Sequence, residues 1–236
     1  MSATFSLRRT LRADDVFFPA MGLVILGVVV LGFAQTYFFA GMLRARLPST
    51  LVHIHGALFV SWILLVTIQP FLVAIGKVKW HRTLGLLGVI LPPLLVFFGV
   101  LTLFAFVRRS GTDADVAPEL ILTGDLEELA LFVVLTSWAL LVRRQASSHK
   151  RLMIMGTMAM LGPAIARWPI PFSPLGTICI QLGLPLLIVL YDLWSSRRIH
   201  RSTTIAYAMI SISLLAMLPI SGLGFWQPLI VWIRHT

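Results

Sequence analysis

The sequence predicts an all-α fold, a seven-helix transmembrane bundle, and three observations carry that prediction. Hydrophobic residues make up 58% of the 236 and charged residues only 12%, with a mean hydropathy of +0.93, a balance suited to a chain whose solvent is lipid. Seven apolar runs are long enough to cross a hydrocarbon core of about 30 Å as helices. No segment alternates in the manner of a membrane strand, and unpaired backbone groups in lipid then leave helices as the way across.

The first run, Val16 to Ala40, follows Arg8, Arg9 and Arg12. It is longer than a secretory signal core and lacks a small-residue cleavage site after it, so it is expected to stay as a span. Span 2, Leu51 to Ile75, opens on His53 and His55, and span 3 runs from Thr83 to Val107 through Pro92 and Pro93. Span 4, Glu119 to Val142, is free of charge only from Leu129 onward. Spans 5 to 7 are Arg151 to Trp168, Leu175 to Trp194 and Thr203 to Ser221. Proline removes a backbone donor, so Pro92, Pro93, Pro163 and Pro219 are expected to bend or interrupt their helices. Residues 222–236 read as an outer interfacial tail or an extension of span 7. The whole chain reads as one integral membrane domain, 1–236, with a cytoplasmic segment at 1–15. Cys179 is the lone cysteine, so no disulfide forms within the chain.

Orientation follows from Lys and Arg, which are retained on the cytoplasmic side during insertion. With the amino terminus inside, the cytoplasmic segments hold Arg8, Arg9, Arg12, Lys77, Lys79, Arg82, Arg143, Arg144, Lys150, Arg151, Arg197, Arg198 and Arg201. The opposite side holds only Arg44, Arg46, Arg108, Arg109, Arg167 and Arg234. The formal charge of +10 is thus an insertion signal and a contact with anionic membrane lipids, and it excludes nucleic acid as the expected partner.

A histidine followed by a basic residue recurs where a polar loop turns into an apolar run, at His81-Arg82, His149-Lys150 and His200-Arg201. Ser61-Trp62 before the first pair parallels Ser137-Trp138 before the second. The pattern suggests three similar hairpins, spans 2–3, 4–5 and 6–7, added to span 1, with a site at the interface between repeats. One reading makes the pairs positive-inside anchors. The other brings His81, His149 and His200 into one ring at helix starts, where with Arg82 and Arg151 they suit an anionic headgroup, a quinone oxygen or a metal. Asp192, a cytoplasmic-side carboxylate within an apolar run, is the expected partner to fix a histidine tautomer or complete a ligand set.

A second cluster falls at the outer side, where His55 and Glu128 offer donors for zinc, iron or copper. His53 and His55 diverge by about 200° on a helix, and His55 is favoured to face the bundle because Trp62 and Gln69 follow on its face. Arg167 is expected to neutralise Glu127 or Glu128. Gln69 and Gln181, deep in their spans, read as helix-to-helix hydrogen bonds. Phosphate loops, HExxH, CxxC and a Ser-His-Asp pattern are all absent.

The runs Val52-His53-Ile54-His55-Gly56, His81-Arg82-Thr83-Leu84-Gly85, His149-Lys150-Arg151-Leu152-Met153, Ala166-Arg167-Trp168-Pro169 and Tyr191-Asp192 resemble a widespread set of bacterial multi-pass membrane proteins. That resemblance covers spans 1 to 7 and implies the fold and a bacterial inner membrane, without naming a reaction. A looser resemblance is to the ascorbate-reducible di-haem membrane cytochromes, which carry paired histidines on four consecutive helices. His55, His81 and His149 match in spans 2, 3 and 5, whereas span 4 offers Glu127 and Glu128 but no histidine. His81 and His149 are also expected to precede their helices, outside the usual place of a haem ligand, so one haem b is the most it implies.

Three function classes follow. A redox component holds haem b or a transition metal and exchanges electrons with quinone. A lipid-binding or accessory subunit, joined to partner subunits, uses the basic ring for headgroups. A membrane-embedded hydrolase needs a metal on His81, His149 and His200 with Asp192 as base.

Overall fold

A computed structural model describes residues 12–39, 49–110, 117–168 and 174–235. Arg8, Arg9, Arg44, Arg46, Asp113, Asp115, Pro169 and Pro171 lie outside the described residues. All regular elements among the described residues are helical, with no strand. Five helices are long and apolar enough to cross a membrane: Ala13–Phe38, Thr50–Ala74, Val78–Arg109, Gly176–Ser196 and Arg201–Ser221.

Helix α1 (Ala13–Phe33) starts where the Asp15 carboxylate accepts the Arg12 backbone N–H at 3.1 Å, and Asp14 and Asp15 meet the positive end of the helix dipole. It closes in a π-helical turn, Ala34–Phe38. Helix α2 (Thr50–Ala74) is capped by Ser49 Oγ, which accepts from Val52 N–H. Its far end turns sharply because Gly76 adopts φ 76°, which lets the Lys77 N–H reach Leu72 O at 2.7 Å. That closure satisfies orphan carbonyls and is open to residues without a Cβ at little cost. Helix α3 (Val78–Leu84) therefore folds back onto α2 and leads through Gly85 and Leu86 into α4 (Leu87–Arg109).

Helix α5 (Pro118–Leu141) has 24 residues and gathers Glu119, Asp125, Glu127 and Glu128 in one half. Helix α6 (Ala146–Met158) stops at Ala159, and a four-residue helix, α7 (Gly162–Ile165), resumes beyond the break. Helices α8 (Pro174–Ser196) and α9 (Arg201–Ser221) follow. A turn after Ser221 separates α9 from α10 (Trp226–His235), which packs Trp226, Ile230 and Ile233 against Leu103, Val107 and Leu122 of α4 and α5.

Three expectations change. Arg151 to Trp168 is not one helix: α6 begins five residues earlier, at Ala146, and breaks at Ala159. Among the four prolines only Pro163 marks an interruption, since it opens α7, where its missing N–H has no helical partner to lose. Pro92, Pro93 and Pro219 lie inside continuous helices. His81 and His149 do not precede their helices either, for they are the fourth residues of α3 and α6.

The bundle closes around Trp62 and Phe132, both fully buried, whose rings meet edge to face at 5.2 Å. Trp62 Nε1 donates to Thr157 Oγ1 of α6 at 3.2 Å. Thr67 Oγ1 donates to Gly22 O of α1 at 3.1 Å, and Trp168 Nε1 to Val28 O at 3.2 Å. Such bonds between helices in lipid contribute about 0.6–2 kcal/mol each. Large apolar side chains such as Leu86, Leu141, Ile212 and Leu215 face outward, as lipid contact requires and water does not favour.

Helices α1 and α7 approach so closely that a Cβ on residue 32 would overlap the Ala164 backbone. Gly32→Ala is expected to destabilise the bundle by about 1–3 kcal/mol, read as a lower thermal unfolding midpoint in detergent. Gly27→Ala, whose Cβ meets open space, should leave the midpoint unchanged or raise it.

Candidate functional site

The bundle has a basic end, where α2 meets α3, α5 meets α6 and α8 meets α9, and its polar centre is a buried ion pair. Arg151 of α6 donates from Nε (2.9 Å) and Nη2 (2.5 Å) to Asp192 Oδ1 of α8. Its Nη1 donates to Ser147 O and Oγ at 2.9 and 2.8 Å. Asp192 Oδ2 accepts from the His200 backbone N–H at 3.0 Å and from Thr203 Oγ1 at 2.6 Å. Asp192 and Thr203 are 0% exposed, and both carboxylate oxygens are satisfied by groups on α6 and at the start of α9. Asp192 is thus committed to Arg151, not to an imidazole ring. A second pair surrounds the first: Lys150 Nζ lies 2.6 Å from Asp14 Oδ2, and Tyr191 OH donates to Asp14 Oδ1 at 2.8 Å. Tyr191 also stacks on Phe17 at 3.8 Å between centroids, which ties α1 to α8.

The three histidines separate into a pair and a single residue. His200 precedes α9 and its Nδ1 accepts the Ser202 N–H at 3.2 Å. That tautomer places the proton on Nε2, so His200 has no free lone pair for a metal. His149 Nδ1 lies 2.8 Å from Ala139 O. A carbonyl only accepts, so His149 carries its proton on Nδ1 and leaves the Nε2 lone pair free, the tautomer of many metal-binding imidazoles. His81 lies close enough to His149 for the rings to interact electrostatically and touches the Gln69 backbone. Its Nδ1 is buried without a hydrogen-bond partner, and so are both amide atoms of Gln69. Arg82, the next residue, is exposed.

At the acidic end Glu128 and His55 have separate neighbours. Glu128 Oε1 accepts from Gln181 Nε2 of α8 at 2.8 Å, and a Cβ on residue 162 would overlap that carboxylate. Gly162 at the helix break is what admits the acid. Glu127 Oε2 accepts from Ser213 Oγ of α9 at 3.0 Å. Both acids line a cavity of about 30 Å³ together with Gln181, Ser213, Met158 and Met217, room for a water molecule or two. Arg167 pairs electrostatically with Asp125 and donates from Nη1 to Pro163 O at 2.6 Å, so its carboxylate is neither Glu127 nor Glu128. His55 lies near Phe59, Gly99 and Leu129 with its Nδ1 buried and unpartnered. His53 is exposed beside Tyr37.

Among the described residues no group of three His, Cys, Asp or Glu side chains is placed to hold a metal ion. The second haem of the di-haem resemblance does not fit, since α5 offers no histidine opposite His55. The inner pair has the chemistry of a ligand pair, because His81 Nδ1 is buried without a partner and His149, with its proton on Nδ1, keeps a lone pair on Nε2. Sequence reasoning missed Thr203, Ser147 and Gly162. Arg151 and Asp192 did carry a signal, as opposite charges at the basic ends of two apolar runs.

Removing one partner of a buried pair strands the other charge. Asp192→Ala is expected to lose about 3–5 kcal/mol, seen as a lower thermal midpoint, and Arg151→Met with Asp192→Leu should recover much of it. His200 lies between spans, and burial, then the Arg151 cation, holds its imidazole below its ordinary value of 6.5. Stability from neutral His200 is therefore complete above pH 6.5 and is lost as pH falls below it. Thermal melts at about pH 7.5 and 5.5 should show that loss in the wild type, and His200→Asn, which keeps a capping acceptor without titrating, should flatten it. No protein family model, curated protein or solved structure matches this chain.

Proposed function

We propose that this chain is a seven-span integral protein of a bacterial inner membrane, amino terminus inside, in which His81 and His149 hold haem b or a transition metal for electron exchange with quinone. Five apolar helices, completed by α5 and the broken α6–α7 pair, make the seven spans. Packing of α2 on α4, α5 on α6 and α8 on α9 supports three hairpins. The observation that carries the functional reading is the His149 tautomer: its Nδ1–H is spent on Ala139 O, and the remaining lone pair belongs to a ring beside the unpartnered Nδ1 of His81. A buried nitrogen left unsatisfied, as His81 Nδ1 is, is costly unless something binds it. Haem or metal, when bound, supplies one-electron chemistry. The protein orients the rings through Ala139 and Gln69, and the packed core beneath them excludes water.

An accessory role has its own support. Arg82, Arg143, Arg144, Arg197, Arg198 and Arg201 are exposed around the basic end, where anionic headgroups give about 1 kcal/mol per basic residue. The hydrolase reading loses its third imidazole and its base to the His200 cap and the Asp192 pair.

Absorption spectra and metal analysis of the purified protein decide between the first two. A Soret band or a stoichiometric metal is expected, and His81→Ala or His149→Ala should remove it while the protein still folds. Wild-type protein with neither haem nor metal leaves the accessory role.

A further inference from the structure

Gln69 carries the observation that goes furthest. It lies seven residues beyond Trp62 on α2, on the same helix face. Trp62 points at α6 through its bond to Thr157, so Gln69 faces the part of α6 two turns nearer the basic end, where His149 lies. Its backbone touches the His81 ring. Both amide atoms are buried without a partner, although a span amide that only joined two helices would be hydrogen-bonded to one of them.

We propose that Gln69 Oε1 is the third protein donor of a mononuclear metal site, with His149 Nε2 and His81 as the imidazole donors, and that the occupant is a bare divalent transition metal and not haem. This rests on the histidine-centre reading above. Two imidazole nitrogens and one neutral amide oxygen suit a borderline, redox-active ion such as Cu²⁺ or Co²⁺, and leave one coordination position open. Haem takes two axial ligands and has no use for a third donor from the protein. The donors reach such an ion at about 2.0–2.2 Å, which places them too far apart to bond one another. The unpaired amide of Gln69, on a residue whose backbone touches the His81 ring, and the unpaired Nδ1 of that ring are the expected appearance of such a set.

The test uses the full chain in detergent, stripped with a chelator and titrated with Co²⁺, whose visible bands report coordination directly. One equivalent is expected to bind the wild type. Gln69→Leu should weaken binding by about 10–100-fold, the scale seen when a supporting group of a metal site is removed, and should shift the bands. Gln69→Glu, with a carboxylate oxygen at the same place, should restore or tighten binding. Thermal melts of both variants show that they remain folded. Wild-type-like binding and bands in Gln69→Leu overturn the third donor and leave the two-histidine centre intact. A Soret band in the wild type overturns the bare metal while keeping that centre. Wild type that takes up neither Co²⁺ nor haem overturns both.

Discussion

Charge inside a membrane has to be neutralised locally, and the Arg151–Asp192 pair meets that demand for three helices at once. A guanidinium on α6 and a carboxylate on α8 would each be prohibitive alone in a medium of low dielectric. Paired and fully hydrogen-bonded, they fix the register of α6 against α8, and Thr203 and the His200 N–H bring in α9. The Lys150–Asp14–Tyr191 group extends the same logic to α1. With these four helices locked at the basic end, His149 is held where its ring bonds to Ala139 O and interacts electrostatically with His81.

The same constraint acts differently at the acidic end. Glu128 and Glu127 bond to the neutral Gln181 and Ser213, and Arg167 stands with Asp125. What admits Glu128 is backbone, not charge: the α6–α7 break and the absent side chain of Gly162. Irregular backbone at membrane depth is tolerated where it is buried in protein or lines a wet cavity, and here it lies beside the small cavity shared by both acids.

Composition and run length made the helical membrane fold legible, because lipid imposes one requirement on every residue it touches. Gln69, Trp62 and His55 were legible as one face of α2 from spacing alone. The pairing of Asp192 was not, since spacing along a chain says nothing about which of three basic neighbours a carboxylate meets across helices. The His200 tautomer was equally hidden: it depends on whether the ring lies inside a helix or just before it, a difference of a few residues at the boundary. The break at Ala159 had a visible cause in Gly162-Pro163, but four prolines were equal candidates and only packing distinguishes them.

The tight apolar layer of Trp62, Phe132, Leu135, Leu152 and Met155 has an electrical consequence. A low-dielectric septum between two polar clusters takes most of any voltage across the bilayer, at about 2.3 kcal/mol per elementary charge per 100 mV. In the seven-span arrangement proposed above, the imidazoles of α3 and α6 and the carboxylates of α5 would lie on opposite plates of a molecular capacitor, each referenced to its own side of the membrane.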